Sequence, residues 1–206
     1  MKFDIAYKRG IFIGRTNSLL QEFGNISSQI ILKLLNTSAM SFYGSNLWDL
    51  FGKESERLYN CYNVAIRNIF RVNRCTHRFL IKPISNSIHL KTILASKFVS
   101  FHRSLISSNK FPVRFLARLV EKDLRTVHGR NLHEIASQCN LGYSPDLSLL
   151  KPNLVKKNVE YKPIPEEDKW KVSICQELLS ARDDVLELPG FTSDEDAELP
   201  DYLCVM

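Results

Sequence analysis

Residues 53–78, KESERLYNCYNVAIRNIFRVNRCTHR, constrain the fold more than any other stretch. Wound at about 100° per residue, Leu58, Cys61, Tyr62, Ala65, Ile66 and Ile69 fall on one broad side, the i, i+3, i+4 repeat of an amphipathic helix. Arg67, Arg71, Arg74 and Arg78 are spaced 4, 3 and 4 apart, so a helix that persists to the end sets them in a narrow row on the other side. A hidden apolar side backed by guanidinium groups suits a surface that meets phosphate, because the forked donors match phosphate oxygens. The plainer reading is a solvated face, which is what runs of charge usually mark.

The rest of the chain reads as further helices, and no strand pattern or internal repeat stands out. Residues 4–23 place Ile5, Phe12, Leu19, Leu20 and Phe23 inward, against a cost of about 1 kcal/mol at each of Gly10 and Gly14. Residues 27–42 make a second helix from a Ser N-cap, with Ile30, Ile31, Leu34 and Leu35 as its stripe. Gly44 and its Ser/Asn neighbours are turn chemistry, followed by Trp48, which burial favours as a core anchor over a base-stacking platform. Residues 88–107 put Leu90, Ile93, Leu94, Phe98, Phe101 and Leu105 on a core face, with Lys91, Lys97 and Arg103 off it. Pro112 suits the first turn of a helix to about Val120, with Phe115, Leu116 and Leu119 inward. A polar loop follows, and Asn131 is placed to cap a short helix from Leu132 to Cys139. Prolines at 145, 152, 163 and 165 mark a linker. One more helix is expected over 165–184, and then an acidic tail. The fold class is all-α: an irregular helical bundle with an acidic, partly ordered C-terminal tail.

Charge divides the chain. Residues 1–150 hold 21 Lys and Arg against 9 Asp and Glu, whereas residues 151–206 hold 7 against 13. A basic body of this kind seeks a polyanion, and the tail either screens it or binds something else. Five scattered cysteines argue for reduced thiols rather than a disulfide framework. No apolar run reaches the length of a membrane span, and the N-terminus has no secretory h-region. The expected location is therefore intracellular, cytoplasmic or nuclear, with no membrane partner.

The order of these pieces resembles a known family. Ser41-Phe42-Tyr43-Gly44-Ser45-Asn46-Leu47-Trp48 is similar to a "YGS-x-LW" turn. Asn63 to Arg67 matches an "N-x-x-x-R" helix, Thr76-His77-Arg78 a "T-H-R" segment, and His89 with Lys97-Phe98 an "H-x-x…R/K-F" helix. Asp123, Arg125, Thr126, Gly129 and Asn131 match "D-x-R-S/T-x-x-G-x-N". Together these resemble the region after the polymerase core of non-LTR (LINE-type) retrotransposon reverse transcriptases, over about residues 1–140. Val72-Asn73 stands where that family has Leu-Pro. The resemblance implies a thumb-like helical hairpin at 1–45 and a basic helical extension at 46–140; a proline-containing linker, one helix and the acidic tail follow at 141–206. It implies a C-terminal piece of an RNA-directed DNA polymerase that holds template RNA or an RNA–DNA hybrid beside a missing polymerase core. The residues expected at that interface are Arg67, Arg71, Arg74, Arg78, Lys91, Lys97, Arg125 and Arg130.

Catalytic chemistry is not written in this chain. Two-metal polymerisation needs carboxylates converging from separate elements, and the single Asp-Asp, Asp183-Asp184, sits near a helix end. The chain is expected to be inactive alone. Cys61, Cys75 and His77 lack a fourth ligand and the short paired spacing of a structural zinc site. No nucleophile motif or glycine-rich phosphate loop occurs. No cofactor, metal or small-molecule substrate is expected. The alternative to nucleic-acid binding is a non-catalytic helical protein-interaction domain with an acidic tail.

Overall fold

The computed structural model describes residues 2–76, 80–139 and 150–159, together with Ser173. Apart from Ser173, the expected helix over 165–184 lies outside them, as do the acidic tail and Arg78. The protein is all-α. Helices run over Lys2–Phe23 (α1), Ser28–Leu34 (α2), Lys53–Ile69 (α3), Ile81–Ser85 (α4), Leu90–Ile106 (α5), Phe111–Lys122 (α6), Val127–Gln138 (α7) and Pro152–Asn158 (α8). A π-helical stretch, Leu35–Ala39, follows α2, and a 3₁₀ turn spans Ser45–Leu47. No helix among the described residues is long and apolar enough to cross a membrane.

The described chain forms two compact units interleaved in sequence. One takes in residues 2–6, 42–59, 88–139 and 150–159, and the other residues 7–41, 60–76 and 80–87.

In the second unit, Phe12, Ile31, Leu35, Tyr62, Ile66 and Ile69 are buried. Ile30 is 47% exposed, contrary to its expected place on the apolar stripe, and Leu32 is buried in its stead. The helix start differs too. Ser27 makes no side-chain cap, and the Ser28 hydroxyl donates to the Ile69 carbonyl at 3.0 Å. That bond ties the first turn of α2 to one of the orphan carbonyls at the end of α3.

In the first unit, Trp48 is 1% exposed and its indole N–H donates to Asp4 at 2.7 Å, so it is a core anchor with its polar edge satisfied. Gly44 adopts φ +82°, which an L side chain rarely tolerates, and it opens the turn that sends Trp48 inward. The Asn131 amide reaches the same loop: its NH₂ donates to the Trp48 carbonyl at 2.7 Å and its oxygen accepts from the Leu50 N–H at 3.1 Å. Asn131 is thus a buried residue inside α7, not the cap expected from sequence. Thr126 is the cap, accepting from the Gly129 N–H at 3.0 Å. Asp123 shapes the preceding turn, its carboxylate accepting from the Arg125 N–H at 2.9 Å. At Gly129 a Cβ would stand 2.2 Å from the Asp123 carbonyl oxygen, so only glycine fits there.

The helix α5 is the centre of this unit, with Leu90, Leu94, Ala95, Phe98 and Val99 all buried. It packs on α6 and on α8. On the α8 side the Thr92 hydroxyl bonds to the Val159 carbonyl. Towards α7, His102 Nδ1 and His128 Nε2 meet at 2.9 Å, and the Phe98 ring lies 4.7 Å from the His128 ring. Burial, and secondarily the charge of His128, bring the His102 pKa down to about 4, and burial lowers that of His128 as well.

Two stability outcomes follow. Asn131→Ala strands two backbone groups in the interior and should cost about 2–4 kcal/mol in urea denaturation, with an Asn131→Asp variant failing to restore it because the NH₂ donor is gone. The imidazole pair gives the pH dependence its sign. The unfolded chain takes up protons near pH 6.5 and the folded chain only near 4 at His102, so stability is full above pH 6.5 and is lost as pH falls from there through 4. His102→Gln should flatten the pH dependence of Tm across that window.

Candidate nucleic-acid interface

The arginine row does not form. The helix α3 ends at Ile69, so Arg71 and Arg74 lie beyond it and only Arg67 stands on it. The chain closes α3 with a Schellman motif: Val72 N–H donates to the Arg67 carbonyl at 2.9 Å and Arg71 N–H to that of Asn68 at 3.2 Å. Arg71 occupies the left-handed position at φ +48°, where glycine is usual. With no glycine there, the sequence carries no stop signal, and the helical spacing of the arginines continues on paper past the true end.

Arg67 is turned to a local task. Its Nη2 donates to the Thr76 carbonyl at 2.9 Å, so it clasps the loop that leaves the helix instead of facing a ligand. Arg71 is exposed and donates to the Gly24 carbonyl at 3.1 Å. Arg74 is exposed.

The other expected interface residues lie in the first unit. The Lys91 ammonium sits 4.8 Å from the Phe51 ring centroid, a cation–π contact, and Arg130 stands 3.7 Å from the Asp49 carboxylate. Lys97 and Arg125 are exposed. Among the aromatics near basic residues, Tyr59 is 2% exposed with its hydroxyl bonded to the Leu50 carbonyl, which removes it from any stacking on bases. Phe101 is half-buried, Phe115 is exposed, and Phe79 lies outside the described residues.

Positive charge concentrates elsewhere than the spacing in α3 suggests. Residues 91–130 carry nine Lys and Arg against two acids, Glu121 and Asp123, and residues 150–159 add three lysines and no acid. These stretches are α5, α6, the turn into α7 with its first residues, and α8, and α5 packs directly on α6 and α8. The exposed cations Lys97, Arg103, Arg114, Arg118, Lys122, Lys156 and Lys157 belong to α5, α6 and α8. The signal that marks them in the sequence is the local excess of Lys and Arg over a 40-residue window, not any regular interval between them.

Among the described residues no three His, Cys, Asp or Glu side chains stand close enough to hold a metal ion. Cys61 is half-buried and Cys75 exposed. No family model, curated protein or solved structure matches this chain.

The separate duties of the arginines can be measured. Arg67→Ala should lower stability by about 1.5–3 kcal/mol, the worth of a charged group's hydrogen bond, while Arg74→Gln should stay within about 0.5 kcal/mol of the parent. Arg71→Gly removes a left-handed side-chain penalty of about 1–2 kcal/mol and should raise Tm despite loss of the Gly24 bond.

Proposed function

We propose that the chain binds RNA or an RNA–DNA hybrid through its basic helical surface, as a C-terminal piece of a non-LTR retrotransposon reverse transcriptase without the catalytic palm. The observation that carries this reading is the excess of cations on α5, α6 and α8, three helices joined by direct packing through α5. Phosphate neutralisation is the sequence-independent part of nucleic-acid affinity, and it needs many exposed Lys and Arg on one unit, not a regular row. The interface proposed is thus displaced from the α3 arginines to Lys97, Arg103, Lys156 and Lys157, together with the exposed Arg125 on the turn into α7. Lys91 and Arg130, already engaged with Phe51 and Asp49, play a smaller part.

The motif likeness supports the family in a specific way. Of the residues that carry it, Gly44, Trp48, Arg67, Thr126, Gly129 and Asn131 each hold a turn, cap or loop in place. The shared pattern is therefore a pattern of scaffold. Affinity for nucleic acid rests on the charge that the scaffold displays. The polymerase core of the same element is the second partner in this reading.

Binding of single-stranded RNA and of a hybrid duplex, measured over a range of salt, tests it. Log affinity should fall linearly with log salt. Replacing Lys97, Arg103, Lys156 and Lys157 by Gln should reduce the slope by about 0.7–0.9 for each phosphate no longer neutralised, with no change in the helical circular dichroism. An unchanged slope, or no binding at low salt, removes the reading in favour of a protein-interaction domain.

A further inference from the structure

The helix α6 has the sequence FPVRFLARLVEK, and the bundle uses only one flank of its apolar stripe. At about 100° per residue, Val113, Ala117 and Val120 share the side turned to the unit, and of these Ala117 is fully buried while the two valines are half-buried. Phe111, Phe115, Leu116 and Leu119, expected inward at the last three, are 67%, 51%, 58% and 52% exposed. Leu124, past the helix end, is 53% exposed. Scattered exposed apolar residues are ordinary, but four large ones on one flank of a single helix form a patch of the kind that marks a docking face. Arg114 and Arg118 lie on the adjoining flank and Lys122 at the C-terminal end of the strip itself, all exposed; of the nearby acids Glu121 is half-buried, and Asp123 is exposed with its carboxylate accepting from the Arg125 N–H.

We propose that this flank of α6 docks an acidic amphipathic helix of a partner protein. The chemistry selects that occupant. From Phe111 to Leu119 the strip is about 12 Å long, just over two turns of helix, which accommodates the i, i+3, i+4, i+7 anchors of a helix laid alongside it. The cationic border calls for carboxylates on the partner, since opposite charge steers encounter and rejects like-charged partners. A second copy of this chain packed antiparallel along the strip would bring the cationic flank against its own counterpart. A polynucleotide gains little from the strip: leucines offer no flat face, and the two phenyl rings already stack on each other, with centroids 5.9 Å apart and planes 20° apart. This surface shares α6 with the cation excess counted above but uses none of Lys97, Arg103, Arg125, Lys156 or Lys157, and it does not rest on the nucleic-acid reading.

The test uses the full chain and a labelled synthetic helical peptide of about five turns, with leucines at helical spacing and glutamates elsewhere. A second peptide carries lysines in place of the glutamates. Fluorescence anisotropy should show saturable binding of the acidic peptide and at least tenfold weaker binding of the basic one. Leu116→Glu and Leu119→Glu should each abolish binding. Arg118→Glu with Lys122→Glu should weaken the acidic peptide at least tenfold and restore the basic one, a reversal that misfolding would not produce. Equal binding of both peptides, or a Leu116→Glu variant that binds normally, overturns the proposal. So does displacement of the peptide by oligouridylate, capture of the chain on anionic vesicles with loss in Leu119→Glu, or a concentration-dependent dimer that Leu116→Glu dissolves. Those three outcomes assign the flank to nucleic acid, a lipid surface and a second copy respectively.

Discussion

A single amide holds the first unit in register. Asn131 and the loop at Trp48 and Leu50 are more than eighty residues apart in sequence, and two hydrogen bonds join them. The loop has no secondary structure of its own to satisfy its buried backbone groups, so a side chain must do so. Asparagine suits the task because it carries a donor and an acceptor on one planar group. Everything that sets α7 in place serves this contact: the Asp123 turn, the Thr126 cap, and the hydrogen in place of a side chain at Gly129 that lets α7 approach the Asp123 carbonyl. With the loop fixed, Trp48 is fixed, and with it the Asp4 contact at the start of α1.

A run of positions with no chemistry of their own is thereby fixed in residue type by geometry. Asp123, Thr126, Gly129 and Asn131 are far from one another in physical role, yet each is the residue type its position requires. An Asx turn needs a short carboxylate, an N-cap a small hydroxyl, a close backbone approach a glycine, and a two-sided bridge an amide. Such positions are constrained by geometry and leave the surface free to carry function. The phosphate contacts proposed for the charged residues of α5 and α8 would not constrain them in that way, since such binding depends on number and placement more than on identity at any one site.

The helices are legible in the sequence because burial imposes a period, and the period is local. Helices α3 and α5 show their inward residues plainly, and Leu58, Tyr62, Ile66, Leu94 and Phe98 are all buried. What is not legible depends on backbone conformation or on distant partners. The end of α3 is set by a left-handed arginine, a state that costs about 1–2 kcal/mol and leaves no trace in composition. The role of Asn131 depends on a loop far away in sequence; its local surroundings suggest a cap, which is sound chemistry at the wrong site. The apolar stripe of α6 is plain from its spacing, but periodicity cannot say whether the unit covers all of it.

That last gap bears on function. An amphipathic pattern reports that a face prefers to leave water; it is silent on whether the covering surface is in the same molecule. In α5 the preference is met within the chain, by α6 and α8. In α6 it is met along one flank and left open along the other, and the open flank borders cations that would repel a second basic surface. A chain selected only to remain folded and dispersed has little reason to keep two phenylalanines and two leucines of one helix in water, because each exposed apolar side chain invites association. Their presence beside arginines makes association selective, and the selection falls on a partner that is greasy on one side and acidic on its edges.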